Sequence, residues 1–84
     1  MFLSVDVGNT QTTFGLIDEA GSVACHWRTK TDKLDTADEL AVRLTGLLAG
    51  QGFSMDSVDA VAVASVVPAL QRAWHVCLMR LGKD

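Results

Sequence analysis

The chain has 84 residues, of which 49% are hydrophobic and 20% are charged, and its formal net charge is −3. This composition excludes a disordered chain, which has few apolar residues and a high net charge. It also argues against a nucleic-acid binder, because no basic cluster is present. The longest apolar run, residues 60–64, is far shorter than the roughly 20 residues that span a membrane. We therefore expect one small globular domain, or a piece of one.

The amino terminus and the cysteines indicate a cytoplasmic protein. Asp6 interrupts the first apolar stretch and no basic residue precedes it, unlike in a secretory signal peptide. Cys25 and Cys77 form no CxxC pattern. Free thiols in a reducing compartment are favoured over a disulfide, because short secreted chains usually carry more cysteines.

Three strands are predicted at the start of the chain. Phe2–Val7 is a nearly continuous apolar run, typical of a strand that is buried on both faces. Strands over 12–18 and 22–29 follow short turns at residues 8–10 and 19–21. Short turns join antiparallel neighbours, so these strands are predicted to form a meander.

A polar loop and an amphipathic helix are predicted next. Residues 29–35 show no apolar periodicity and are therefore assigned to a loop. A helix over 36–50 begins at Thr36, which with Glu39 forms a capping box. Its apolar residues recur every three or four positions: Ala37, Leu40, Ala41, Leu44, Leu47 and Leu48.

A fourth strand and a second helix complete the order β-β-β-α-β-α. Residues 60–64 alternate alanine and valine, which predicts a small, fully buried strand over 59–65. Pro68 suits the first turn of a helix over 68–81. A strand that follows a helix lies parallel to strand one by a right-handed crossover, so a mixed sheet in the order 3-2-1-4 is predicted. The inner stripe of the second helix is Leu70, Ala73, Trp74, Cys77, Leu78 and Leu81, and Val76 and Met79 widen it.

The segment Asp6-Val7-Gly8-Asn9-Thr10 is the candidate for chemistry. A glycine lets backbone N–H groups approach a phosphate, and the side chains of Asn9 and Thr10 are short donors. A carboxylate at the end of a strand can hold hydrated Mg²⁺. On spacing alone, a plain Gly-Asn hairpin after a solvated aspartate is an equal interpretation. Neither GxxxxGK[ST] nor GxGxxG occurs in the chain.

The remaining polar residues are interpreted first as structural. The acidic stretch is either a solvated surface at a helix N-terminus or a wall of an active cleft; it comprises Asp32, Lys33, Asp35, Asp38 and Glu39. His26 and His75 do not face the cysteines next to them in sequence, and both are expected near the surface. Ser65 lies in no G-x-S-x-G motif and is expected to end strand four facing the cleft.

Taken in order, these segments resemble the amino-terminal portion of a type III pantothenate kinase. The resembling segments are residues 6–10, 14–15, 27–28, 36–39 and 65–68, and the resemblance extends over essentially the whole chain. Gln11 departs from the small polar residue that is common after the loop in that family, but it keeps a polar side chain. The resemblance implies an α/β, ribonuclease H-like (actin-like ATPase) half-domain over residues 1–84 that carries the first phosphate loop.

The resemblance also implies an activity. In that family, ATP phosphorylates pantothenate to 4′-phosphopantothenate, the first step of coenzyme A biosynthesis, with Mg²⁺ and a monovalent cation, K⁺ or NH₄⁺. The enzymes are cytoplasmic homodimers. The implied nucleotide-binding residues are Asp6, Val7, Gly8, Asn9, Thr10 and Gln11, and Asp6 would assist the metal.

The resemblance covers only part of that family's chain. The family binds pantothenate with a Gly-x-Asp-Arg segment, which does not occur here, and its catalytic aspartate is expected in the absent carboxy-terminal half. We therefore expect a truncated chain, or one frame of a split gene, that is inactive alone. Two alternatives stay open: a non-catalytic nucleotide-binding or regulatory remnant, and another kinase of the same superfamily.

Overall fold

A computed structural model describes residues 1–83 as a four-stranded sheet with two helices on one of its faces; Asp84, the last residue of the predicted domain, lies outside the described residues. The elements in chain order are β1 (Phe2–Val7), β2 (Gln11–Ile17), β3 (Val23–Lys30), α1 (Ala37–Gly50), a short 3₁₀ helix (Met55–Ser57), β4 (Ala60–Ser65) and α2 (Pro68–Arg80).

The sheet has the predicted order and directions. The strands lie in the order β3-β2-β1-β4; β2 is antiparallel to β1 and to β3, and β4 is parallel to β1. The predicted ends of the strands and helices agree with the observed ones to within one residue. Lys30, assigned to a loop, belongs to β3 because it pairs with Gln11 of β2. The 3₁₀ helix was not anticipated.

The signals that begin and end the helices act as predicted. The hydroxyl of Thr36 accepts a hydrogen bond from the backbone N–H of Glu39, and the Glu39 carboxylate accepts one from the backbone N–H of Thr36. Pro68 lies in the first turn of α2. Gly52 and Gly82 follow the two helices with φ of 82° and 74°, the left-handed conformation that favours glycine. Among residues 1–83, no helix is both long and apolar enough to cross a membrane.

The core lies between the sheet and the two helices. The predicted inner stripes of α1 and α2 face it, and Leu3, Val5 and Val7 of β1 lie opposite them. Trp74 is 2% exposed, and its ring centroid lies 5.9 Å from that of Phe14 in β2, with the planes inclined at 59°. Tilted aromatic pairs of this kind add to the stabilisation from burial alone.

The second face of the sheet is exposed, and here two predictions are wrong. β1 is not buried on both faces, since Phe2 is 38% exposed and Asp6 is exposed. β4 is not fully buried either: Ala60, Ala62 and Ala64 are exposed. The reason is that both helices pack on the same face. Small apolar residues fit an uncovered face as well as a covered one, so composition alone gives the wrong burial.

Burial of Cys77 makes stability sensitive to high pH. Both cysteines are free thiols, and Cys77 lies fully buried in the core. Burial, the largest cause, raises the pKa of Cys77 from 9.0 to about 11; nearby Arg80 lowers it and Asp38 raises it. Between these two pH values the unfolded chain loses the thiol proton while the folded chain keeps it. The free energy of unfolding therefore falls as the pH rises through this window.

We expect this titration to cost about 2–3 kcal/mol of stability by pH 11. Below pH 9 the Cys77 thiol is protonated in both states and has no effect. Urea unfolding at several pH values, for the unaltered chain and for Cys77→Ala, measures the difference. Cys77→Ala lacks this contribution but keeps Cys25 and all lysines, which are other groups that titrate at high pH. If both chains lost stability equally between pH 9 and 11, the effect would not come from Cys77.

Candidate functional site

Three connections meet at one edge of the sheet, where β1, β3 and β4 have their carboxyl ends. They are the β1–β2 turn (residues 8–11), the loop 31–35 after β3, and the link between β4 and α2. The backbone N–H of Thr31 donates to the carbonyl of Thr10 at 2.9 Å, and that of Val66 donates to the carbonyl of Val7 at 3.1 Å. In open α/β sheets, ligands bind at this edge.

The β1–β2 turn depends on its glycine. The backbone N–H of Gly8 donates to the carbonyl oxygen of Gln11 at 2.9 Å. A Cβ atom at Gly8 would lie 3.0 Å from that same oxygen, so the turn would have to shift to accept alanine. The turn thus leaves little room for a side chain at position 8, and the N–H of Gly8 is already engaged rather than available to a ligand.

The free donors of the turn are at its tip. Within residues 1–83, the backbone N–H groups of Asn9 and Thr10 have no acceptor. Both side chains are exposed, and so is that of Gln11. Val7 differs from these, because its side chain is buried in the core and only its backbone reaches the edge. The six residues of the predicted nucleotide-binding set therefore lie together, but Asn9 and Thr10 present the unsatisfied amides.

Asp6 is an unpaired carboxylate in a central strand. It lies on the exposed face, in register with Thr13 of β2 and Ala64 of β4. No hydrogen bond or ion pair joins its carboxylate to any other residue that the structure describes. Five other aspartates do have such partners: Asp18, Asp32, Asp35, Asp38 and Asp59. Aspartate is unfavourable in strands, and a position that breaks a local rule without compensation is typical of a functional site.

The acidic stretch has mainly structural roles. Asp32 accepts a hydrogen bond from the backbone N–H of Leu34, Asp38 pairs with Arg80, and Glu39 caps α1. These contacts support the interpretation as a helix N-terminus at the surface. The hydroxyl of Ser65 is also engaged in hydrogen bonds within the protein. It donates to the carbonyl of Val67 and accepts from the N–H of the same residue, each at 3.0 Å.

Sequence reasoning missed two pairs beside the turn. The carboxylate of Asp35 is buried and accepts two hydrogen bonds from the guanidinium of Arg43, at 2.5 and 3.2 Å. This hydrogen bonding is the largest cause that raises the pKa of Arg43. The hydroxyls of Thr12 and Thr31 form a buried hydrogen bond of 2.8 Å. The one available signal was Arg43 on α1 beside a loop rich in aspartate.

The comparisons with known proteins agree with this geometry. A sequence model described as "Type III pantothenate kinase" matches residues 2–83. The chain belongs to the type III pantothenate kinase family. A type III pantothenate kinase from Desulfotalea psychrophila is 45% identical over 80 residues, which are 95% of this chain and 30% of the relative. One from Syntrophotalea carbinolica is 43% identical over 85 residues, 100% of this chain and 33% of the relative.

The chain thus spans about a third of the length of the curated type III pantothenate kinases that it matches. A solved structure with the same fold is a ROK family glucokinase from Streptomyces griseus in complex with glucose and AMPPNP. The TM-score is 0.63 at 20% identity, over 99% of this chain and 31% of the glucokinase. The predicted family and the predicted actin-like fold class are both confirmed.

Proposed function

We propose that residues 1–83 form the amino-terminal, phosphate-binding part of a pantothenate kinase. The full enzyme would transfer the γ-phosphoryl group of ATP to pantothenate, giving 4′-phosphopantothenate for coenzyme A. Family membership supports the reaction. The observation that carries the site is the unpaired carboxylate of Asp6 beside a turn with two free amides, at the carboxyl edge of the sheet.

The turn would bind phosphate oxygens. The backbone N–H groups of Asn9 and Thr10 donate to an anion without breaking any bond of the fold, because neither has an acceptor of its own. The exposed side chains of Asn9, Thr10 and Gln11 add further donors. Gly8 keeps the turn closed, and Val7 anchors it in the core.

Asp6 would hold a cation together with the nucleotide. Among residues 1–83, no three His, Cys, Asp or Glu side chains form a cluster that could bind a metal ion. A lone carboxylate suits Mg²⁺, which keeps several waters and binds through one or two carboxylates plus substrate phosphates. When bound, the metal neutralises charge that develops on the phosphates during transfer. The monovalent cation, the homodimer and the cytoplasmic location are supported by the family resemblance, and the location also by the two free thiols.

A chimeric enzyme tests the proposal. Residues 1–83 would replace the matching third of the Desulfotalea psychrophila relative, which is 45% identical over this region. We expect the chimera to phosphorylate pantothenate with ATP and to leave glucose unchanged, as measured by ADP release coupled to a dehydrogenase. Circular dichroism and gel filtration establish beforehand that the chimera folds. A folded chimera without activity would contradict the proposal, and phosphorylation of glucose would favour another kinase of the superfamily.

A further inference from the structure

The loop 31–35 is fixed at both ends. At its start, Thr31 donates its backbone N–H to the carbonyl of Thr10, and its hydroxyl bonds to that of Thr12 in the core. At its end, the carboxylate of Asp35 binds Arg43 of α1 through two hydrogen bonds. The turn with the free amides is therefore connected to the first helix through this short loop.

The middle of the loop is also closed by its own hydrogen bonds. The carbonyl of Asp32 accepts from the N–H of Asp35 at 3.1 Å, and the side chain of Asp32 accepts from the N–H of Leu34 at 2.9 Å. A loop tied in this way transmits a displacement of one end to the other. Movement of Asp35 would therefore move Thr31, and with it the Thr10 carbonyl.

Two aspartate–arginine pairs involve α1, and they differ in burial. Asp35 is 8% exposed, and its pair with Arg43 is bidentate. The side chains of Asp38 and Arg80 are 79% and 58% exposed, and their pair joins α1 to α2. An exposed pair contributes little to stability, whereas loss of one partner of a buried pair leaves a charge without compensation.

We propose that the Asp35–Arg43 pair is a positioning element for the phosphate-binding turn. It acts through Thr31, which orients the peptide at Thr10, and it does not itself contact the nucleotide. The part of this inference that concerns ATP rests on the proposed function; the part that concerns the order of the turn does not. The exposed Asp38–Arg80 pair has the same chemistry and no such connection, so it serves as the matched control.

Amide hydrogen exchange on the 84-residue chain tests the first part. In Asp35→Asn, we expect the Thr31 amide to exchange about ten- to hundredfold faster, the factor for loss of a hydrogen bond to a charged group. Amides in the middle of α2 should keep their rates, and Asp38→Asn should leave Thr31 unchanged. Uniform acceleration over all amides would reveal general destabilisation and would overturn the proposal. Arg43→Lys keeps the charge but not the two-pronged geometry, and it replaces Asp35→Asn if that chain does not fold.

Kinetics of the chimera test the second part. We expect Asp35→Asn and Arg43→Lys to raise the KM for ATP about tenfold with little change in kcat, because the turn is displaced in the free enzyme and realigned when saturated. Exchanging the two residues in the double variant Asp35→Arg/Arg43→Asp should recover part of the affinity. Equal loss of kcat in both single variants, or the same KM as in Asp38→Asn, would contradict the proposal. If the chimera were inactive but Asp35→Asn still accelerated exchange of the Thr31 amide, the proposed function would be contradicted and the positioning role would remain supported.

Discussion

Replacing Asp6 by alanine in the chimera is expected to lower kcat about 10²–10³-fold, the range measured when one group that stabilises developing charge is removed. The KM for ATP should change far less, because the amides of Asn9 and Thr10 would still bind the phosphates. The two parameters differ because a carboxylate that orients a metal ion stabilises mainly the charge that develops in the transition state of phosphoryl transfer, and contributes less to binding of the nucleotide. Steady-state kinetics at saturating Mg-ATP measure both parameters.

Asp56 provides the control for this substitution. It is exposed, and within residues 1–83 it also lacks a partner, but it lies in the 3₁₀ helix at the opposite edge of the sheet, where the amino group of Met1 donates to the carbonyl of Ser57. Asp56→Ala should keep the kcat of the chimera. Asn9→Ala and Thr10→Ala should instead raise the KM for ATP. Unchanged turnover in Asp6→Ala would show that Asp6 has no part in the reaction.

The 84-residue chain by itself is expected to show no pantothenate-dependent turnover. Phosphoryl transfer depends on positioning and electrostatics on both sides of the nucleotide. The described residues provide one turn with free amides and, beside it, the unpaired carboxylate of Asp6, and the chain spans about a third of its relatives' length. A coupled ADP-release assay with and without pantothenate measures this. Turnover that requires pantothenate and disappears in Asp6→Ala would show that the chain alone is a complete enzyme.

The same isolated chain is expected to self-associate. In the part that the structure describes, β4 pairs on one side only, and the uncovered face of the sheet presents Phe2. An open strand edge beside exposed apolar surface favours pairing with a second copy. Light scattering over a range of concentrations measures the mass. A strictly monomeric chain at high concentration would contradict this expectation.

The order of elements could be predicted because its signals are local. Thr36 and Glu39 stand three residues apart and define the start of α1, and the spacing of Leu40, Leu44 and Leu48 defines its buried side. The parallel direction of β4 follows from the crossover through α1, because the helix returns the chain to the edge of the sheet at which β3 began. None of these needs knowledge of distant contacts.

The burial of the sheet and the support of the turn could not be predicted in this way. Whether Ala62 is covered depends on the face of the sheet on which α1 and α2 pack, and both helices pack on the face opposite to Ala62. The contact between Asp35 and Arg43 depends on the path of a loop, which no periodicity describes. For the turn itself, residue types suggested a close approach by Gly8, whereas the geometry leaves the free N–H groups on Asn9 and Thr10.

The pairing of β1 with β4 has a consequence for synthesis on the ribosome. Phe2 pairs with Ala60, so the central strand is made first and its last neighbour is made much later. In the interval, one edge of β1 has no strand beside it, and nascent apolar strands of this kind are prone to aggregate. Ser4 and Asp6 interrupt the apolar run of β1 with polar side chains, and a charge within such a segment reduces aggregation. The carboxylate proposed to hold the cation would therefore also lower the tendency of the newly made chain to aggregate.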